Sequence, residues 1–143
     1  MKLLKTPYIL VLAVLLGSCL DTQSQVPEAV QATFEKMYPG EKDPDWHKDS
    51  HGNYESHFKI DGIKYRADFN ADGSWIETET NVEKKDLPDA VKLVINEQFP
   101  NNVISEIEKV EHHKKGTFYD VEFKRKGKNK DVEITPEGVI LNP

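Results

Sequence analysis

The sequence predicts an α+β fold of two tandem helix-plus-antiparallel-β-meander repeats, with the helices packed on one face of the sheet. Three observations predict it. The chain aligns with itself, Val26-Pro27-Glu28-Ala29-Val30 falling on Leu87-Pro88-Asp89-Ala90-Val91 at an offset of 61 residues. Apolar residues at helical spacing follow each of these starts. Beyond each helix the pattern changes to alternation of apolar and polar residues, the period of half-buried strands.

Taken in order, the chain begins with Lys2 and Lys5 ahead of the apolar run Ile9 to Leu16, a stretch too short to span a bilayer and suited to an export signal. Residues 1–18 are therefore expected to be a signal peptide of the lipoprotein type. Leu16-Gly17-Ser18-Cys19 resembles a lipobox, which makes Cys19, the single cysteine, the expected lipidation site. Residues 19–25 read as a polar tether, so contact with a membrane is expected through the lipid anchor only. The destination is the periplasmic face of a bacterial envelope membrane or the outer membrane; Asp21 does not decide which.

The folded part is expected to cover residues 26–142, as repeats 26–86 and 87–142. Pro27 and Pro88 suit a first helical position, where the missing N–H is not needed, and Pro39 and Pro100 stop each segment by restricting the residue before them. Val30, Phe34 and Met37 form one stripe; Leu87, Ala90, Val91, Val94 and Ile95 form the other. In the first repeat Tyr54, Ser56, Phe58 and Ile60 alternate with Glu55, His57 and Lys59, and after Asp61-Gly62 the residues Ile63, Tyr65, Ala67 and Phe69 alternate with Lys64, Arg66 and Asp68. Asp-Gly supplies the positive φ angles of a two-residue hairpin turn, and Lys126-Gly127 holds the same place in the second repeat. Asn70 to Gly73 and Thr135 to Gly138 mark one further turn in each. About 60 residues make a marginal domain alone, so the two copies are expected to pack as one unit.

A lipobox followed by two such copies, each with a V/L-P-x-A-V start, a Y/F-P stop and a Y-x-x-x-F strand ending near a glycine turn, resembles the PepSY-like family, similar in fold to the β-lactamase-inhibitor protein. The resemblance covers about residues 26 to 142. It implies a small secreted or lipid-anchored bacterial protein without assigned catalytic residues, and a protein- or peptide-binding, regulatory or inhibitory role by analogy.

Charge and motifs narrow the function classes. Nineteen basic against 25 acidic residues give a net charge of −6, and no basic stretch dominates a segment, so nucleic acid is not an expected partner. No phosphate loop, nucleophile elbow or H-E-x-x-H helix is present, and a non-enzyme without a cofactor is expected. Asp68 to Glu79 matches the string of an EF-hand loop, with Asp68, Asn70, Asp72 and Glu79 at ligand positions. Its flanks alternate with strand period, so calcium is the alternative reading and turn chemistry the preferred one. His47 and His51, and the adjacent pair His112 and His113, read as exposed histidines, the pair pointing oppositely on a strand. With Tyr54, Phe58, Tyr65 and Phe69 facing the helices, the other sheet face shows polar residues including His57 and Arg66. These two, with Trp46, Trp75 and Phe118 as outward aromatic anchors, are the expected contacts for an unknown envelope protein or peptide.

Overall fold

The computed structural model describes residues 26–142. The expected signal peptide, the lipidation site Cys19 and the tether lie outside the described residues. Two ten-residue helices, α1 (Glu28–Met37) and α2 (Asp89–Gln98), accompany seven strands: β1 (Asp45–Lys48), β2 (Tyr54–Ile60), β3 (Ile63–Phe69), β4 (Trp75–Asn81), β5 (Ile104–His112), β6 (Gly116–Phe123) and β7 (Lys130–Ile134). A 3₁₀ turn, Lys84–Asp86, precedes α2.

Each helix is delimited as its prolines require, with one correction. Pro27 and Pro88 are N-caps with extended backbone, ψ 143° and 148°, rather than first helical residues. Their carbonyls still accept the first helical bonds, from Gln31 N at 3.1 Å and from Lys92 N at 3.0 Å. Neither cap has a side-chain acceptor, but Glu28 and Asp89 place a carboxylate in the first turn, where the helix dipole favours it. At the other ends Tyr38 and Phe99 close the helices on Phe34 O and Ile95 O. Val30 and Phe34, like Val91 and Ile95, are buried one helical turn apart. Met37, expected on the stripe, is exposed.

All seven strands form one antiparallel sheet in sequence order. The β2–β3 hairpin turns at Asp61 (φ 51°) and Gly62 (φ 82°), so both central residues take the positive φ that a two-residue turn needs. The corresponding β6–β7 connection is instead a six-residue loop over 124–129, with Lys126-Gly127 inside it. Five lysines and arginines between 124 and 130 need room to separate, which a two-residue turn does not offer. Pairing of β4 with β5, from Glu77 opposite His112 to Asn81 opposite Glu108, joins the halves into a continuous sheet although α2 intervenes in sequence.

Both helices cover the same sheet face, each over its own core. Under α1 the core is aromatic: the Phe34 ring lies 5.1 Å from those of Tyr38 and Phe58 and 5.3 Å from Trp46. Under α2 it is mainly aliphatic, from Leu87, Val91, Ile95, Ile107, Val121, Val132 and Ile134, with Tyr119 and Phe123. A polar strip of Thr80 and Lys109, which face each other across β4 and β5, separates the two.

The turns after β3 and β7 dock on the helices. Gly73 (φ 86°) lies so close to α1 that a Cβ there would stand 2.5 Å from Ala29 O, and one on Gly138 (φ 88°) 3.2 Å from Ala90 O. The glycines let these turns reach the helix backbone.

Candidate functional site

Among the described residues the face of the sheet opposite the helices carries no other element, and its side chains are set by strand alternation and register. Residues directly opposite across neighbouring strands share a face. Following the pairing from β2 to β6, one row reads His57, Arg66, Glu79, Val110 and Phe118. The next reads Glu55, Asp68, Glu77 and His112. On the other side come Asn81, Glu108, Asp120 and Glu133, then Glu106, Glu122 and Asp131. Carboxylates thus dominate the face.

Arg66 is the cation at its centre. Its guanidinium hydrogen-bonds Glu79 and lies 3.5 Å from Asp68 Oδ2, 3.8 Å from Glu77 Oε1 and 3.8 Å from Glu55 Oε2. Four carboxylates around one guanidinium leave bonds unmade: Arg66 Nε, Asp68 Oδ1 and Glu79 Oε2 are buried without a hydrogen-bond partner, as is Asp120 Oδ1 further along. Burial pushes the Asp68 carboxyl up to about 6, against the pull of Arg66. Burial and repulsion from Asp131, Glu133, Glu108 and Glu122 push Asp120 up to about 6 as well. Burial also raises Glu79 and Glu108, and the charge of Glu108 adds to the rise at Glu79.

These shifts set a direction for stability. A carboxyl whose pKa is raised on folding holds a proton that the unfolded chain has released, so stability falls as pH rises from about 4 through 6. Asp120→Asn, which keeps the shape and removes the charge, is expected to stabilise the protein by about 1–2 kcal/mol at neutral pH and negligibly near pH 4. Thermal melts of both proteins across that range check it; a stabilisation independent of pH would contradict the electrostatic cause.

Of the aromatic anchors expected on this face only Phe118 lies on it, and its ring is buried. Trp46 opposes Ser56 on the helix side of the sheet and packs on Phe34 and Phe69. It lines an open groove with Gln31, Glu35 and Pro44. Trp75 is half-buried against the α1 core, its Nε1 donating to Thr78 Oγ1 at 3.0 Å. Phe118 does belong to the open face but is 3% exposed, with Lys115 Nζ 5.1 Å from its ring centre. Small domains have too little core to leave large rings in water, which is why all three turn inward or are covered. His57 and Arg66 do lie on the face, His57 beside Glu55 and next to the ring of His47 at 5.3 Å.

The calcium-like string is divided by the hairpin that contains it. Asp68 and Glu79 point to the open face and engage Arg66, whereas Asn70 and Asp72 hold the turn: Asn70 Nδ2 donates to Ser74 Oγ at 2.9 Å, and Ser74 N donates to Asp72 Oδ1 at 2.9 Å. Among the described residues no group of three or more His, Cys, Asp or Glu side chains is placed to hold a metal ion. Nor do the paired histidines diverge as expected, because β5 ends at His112. The His112 and His113 rings stack at 4.8 Å, and His113 Nδ1 bonds Ile76 O.

Reasoning from sequence missed the row Asn81, Glu108, Asp120, Glu133. Its members come from four strands, and the spacing of acidic residues in β5 and β6 was the only available signal.

Known proteins share this architecture. A DUF2874 family protein from Bacteroides ovatus ATCC 8483 superposes with a TM-score of 0.74 at 27% identity, covering 82% of this chain and 86% of that one. A BLIP-like protein from Bacteroides fragilis NCTC 9343 gives 0.72 at 26% identity, covering 85% and 88%. A protein from Bacteroides eggerthii DSM 20697, described as one of the "putative periplasmic proteins", gives 0.74 at 22% identity over 82% and 87%, a likeness of fold. No curated protein matches the chain. Among the described residues no helix is long and apolar enough to cross a membrane. Residues 52–142 match the family described as "Putative beta-lactamase-inhibitor-like, PepSY-like". With that match spanning more than half its length, over β2 to β7 and α2, the chain belongs to the PepSY-like family.

Proposed function

We propose that the protein is a non-catalytic binding module of the bacterial envelope, tethered by a lipid on Cys19, that holds a protein or peptide partner on the open face of its sheet. One observation carries the reading: both helices lie on one face, and among the described residues the other is left uncovered with its carboxylates in facing rows. Buried polar groups are normally satisfied, and a face that keeps several poorly paired charged groups is held for a purpose other than stability. The likeness to a BLIP-like protein supports a binding role by analogy of fold.

A photo-cross-linking side chain placed at His57 or Glu122, on the face, is expected to capture a discrete partner from intact envelopes. The same group at Gln31 or Lys92, on the helices, is expected to capture none. Adducts confined to the helix positions would place the partner on the other side and overturn the reading.

A further inference from the structure

We propose that the occupant of the open face is an extended polypeptide segment with lysine or arginine at alternate positions, seated over the carboxylates of β4 to β7. This deepens the reading that a partner docks on this face and rests on it.

The arrangement of charge is the first support. Glu108 stands directly opposite Asp120, and Asp120 opposite Glu133; Glu106 opposes Glu122, and Glu122 opposes Asp131. Like charges in direct cross-strand pairs destabilise a sheet, and here they run across β5, β6 and β7 in two rows. Among the described residues the only cation paired with either row is Lys115, whose Nζ lies 2.8 Å from Glu133 Oε1. Lys59 and Lys64 face each other near the β2–β3 turn, at the far corner.

Buried acceptors are the second. Glu79 is only 8% exposed, yet its Oε2 has no hydrogen-bond partner, and neither has Asp120 Oδ1. Carboxylates held this poorly paired in low-dielectric surroundings gain from a cation set beside them. Val110 and Phe118, both buried, lie in the row between Glu79 and the far strands and form an apolar floor that strengthens a charge pair set upon it.

Spacing selects the kind of cation. Neighbouring strands stand about 4.8 Å apart, and like-facing residues on one strand repeat at about 6.8 Å. Carboxylates on such a grid are too dispersed to chelate one ion, and the described residues hold no metal-binding group. They do match an extended peptide, whose alternate side chains repeat at that same ~6.8 Å. Bidentate or multiple charge-assisted bonds to ammonium or guanidinium groups then satisfy the open oxygens. The groups facing Glu79 and Glu108 are Arg66, Glu77, Asn81, Glu106, Val110 and Asp120, from β3 to β6, and cation binding strengthens as pH rises through about 6, where Asp120 ionises.

The test titrates the full-length chain, in detergent, with a labelled peptide of alternating lysine and threonine, read by fluorescence anisotropy. Saturable one-to-one binding that weakens with salt is expected. The face variant E108Q/D120N is expected to weaken it about tenfold or more, and the helix variant E35Q/E97Q, with the same change in net charge, less than about twofold. Melting curves of both variants confirm that each is folded. Equal weakening by the two variants, or no saturable binding, overturns the proposal. Adducts at His57 or Glu122 without peptide binding would defeat the cationic partner alone, whereas loss of both would defeat the docking face too. Concentration-dependent dimerisation abolished by K126E/K128E would assign the face to the basic loop of a second copy instead.

Discussion

Arg66→Met is expected to destabilise the protein by about 2–3 kcal/mol at neutral pH, with most of that loss disappearing near pH 5. Arg66 is the one guanidinium among Glu55, Asp68, Glu77 and Glu79. Removing one partner of a partly buried charge network leaves the others uncompensated, at a cost that reaches 3–5 kcal/mol for full burial. Here the side chain is 33% exposed, and solvent screening lowers the figure. Acidification relieves the loss because Asp68 already titrates at about 6 and the neighbouring carboxyls protonate as the counter-charge disappears. Arg66→Lys keeps the charge without the planar fork and is expected to fall between the two. Urea unfolding of the three proteins at two pH values decides the matter; a loss that stays constant with pH would assign Arg66 a packing role only.

Gly73→Ala is expected to cost at least about 3 kcal/mol, the larger part from collision and the rest from backbone strain. The added methyl would lie 2.5 Å from Ala29 O and 2.7 Å from Ala29 C, backbone atoms of α1 that cannot swing away. At Gly138 the nearest atom, Ala90 O, is 3.2 Å away, and at Gly62 nothing lies within 4 Å although φ is 82°. Losses should therefore rank Gly73, then Gly138, then Gly62, the last near the ~1 kcal/mol of a left-handed alanine. Thermal unfolding of the three alanine variants measures the order. Equal losses would mean that the turn leaves the helix without penalty and that its docking contributes nothing.

Much of the architecture is legible because its signals are local. A proline before each helix, a glycine in each turn and a period of two in β2 and β3 are all read within a few residues. The face opposite the helices was readable only inside the first hairpin, where Glu55, His57 and Arg66 alternate with Tyr54, Phe58 and Tyr65. In β5 the alternation breaks at an irregularity between Ile104 and Glu106, and the apolar Val110 and Phe118 lie on the acidic side. An apolar residue among carboxylates reads as helix-facing or as an outward anchor; burial beneath neighbouring charged side chains is a third outcome that no single strand announces. Trp46 and Trp75 misled for a related reason, since a half-buried ring at a strand end has no periodic neighbours to say which side it takes.

The sequence by itself determined the α+β class, two proline-delimited helices, the Asp61-Gly62 hairpin, the acidic balance and the elements that each copy contributes, because these depend on spacing along the chain and on the conformational limits of proline and glycine. Tertiary structure alone decided that β4 pairs with β5 and so gathers carboxylates from six strands on one open face. It also decided that the calcium-like string would be divided between a turn and the open face. Both follow from long-range register, which is set by how two separate cores fit under one sheet, and that fit is not written in any local stretch of residues.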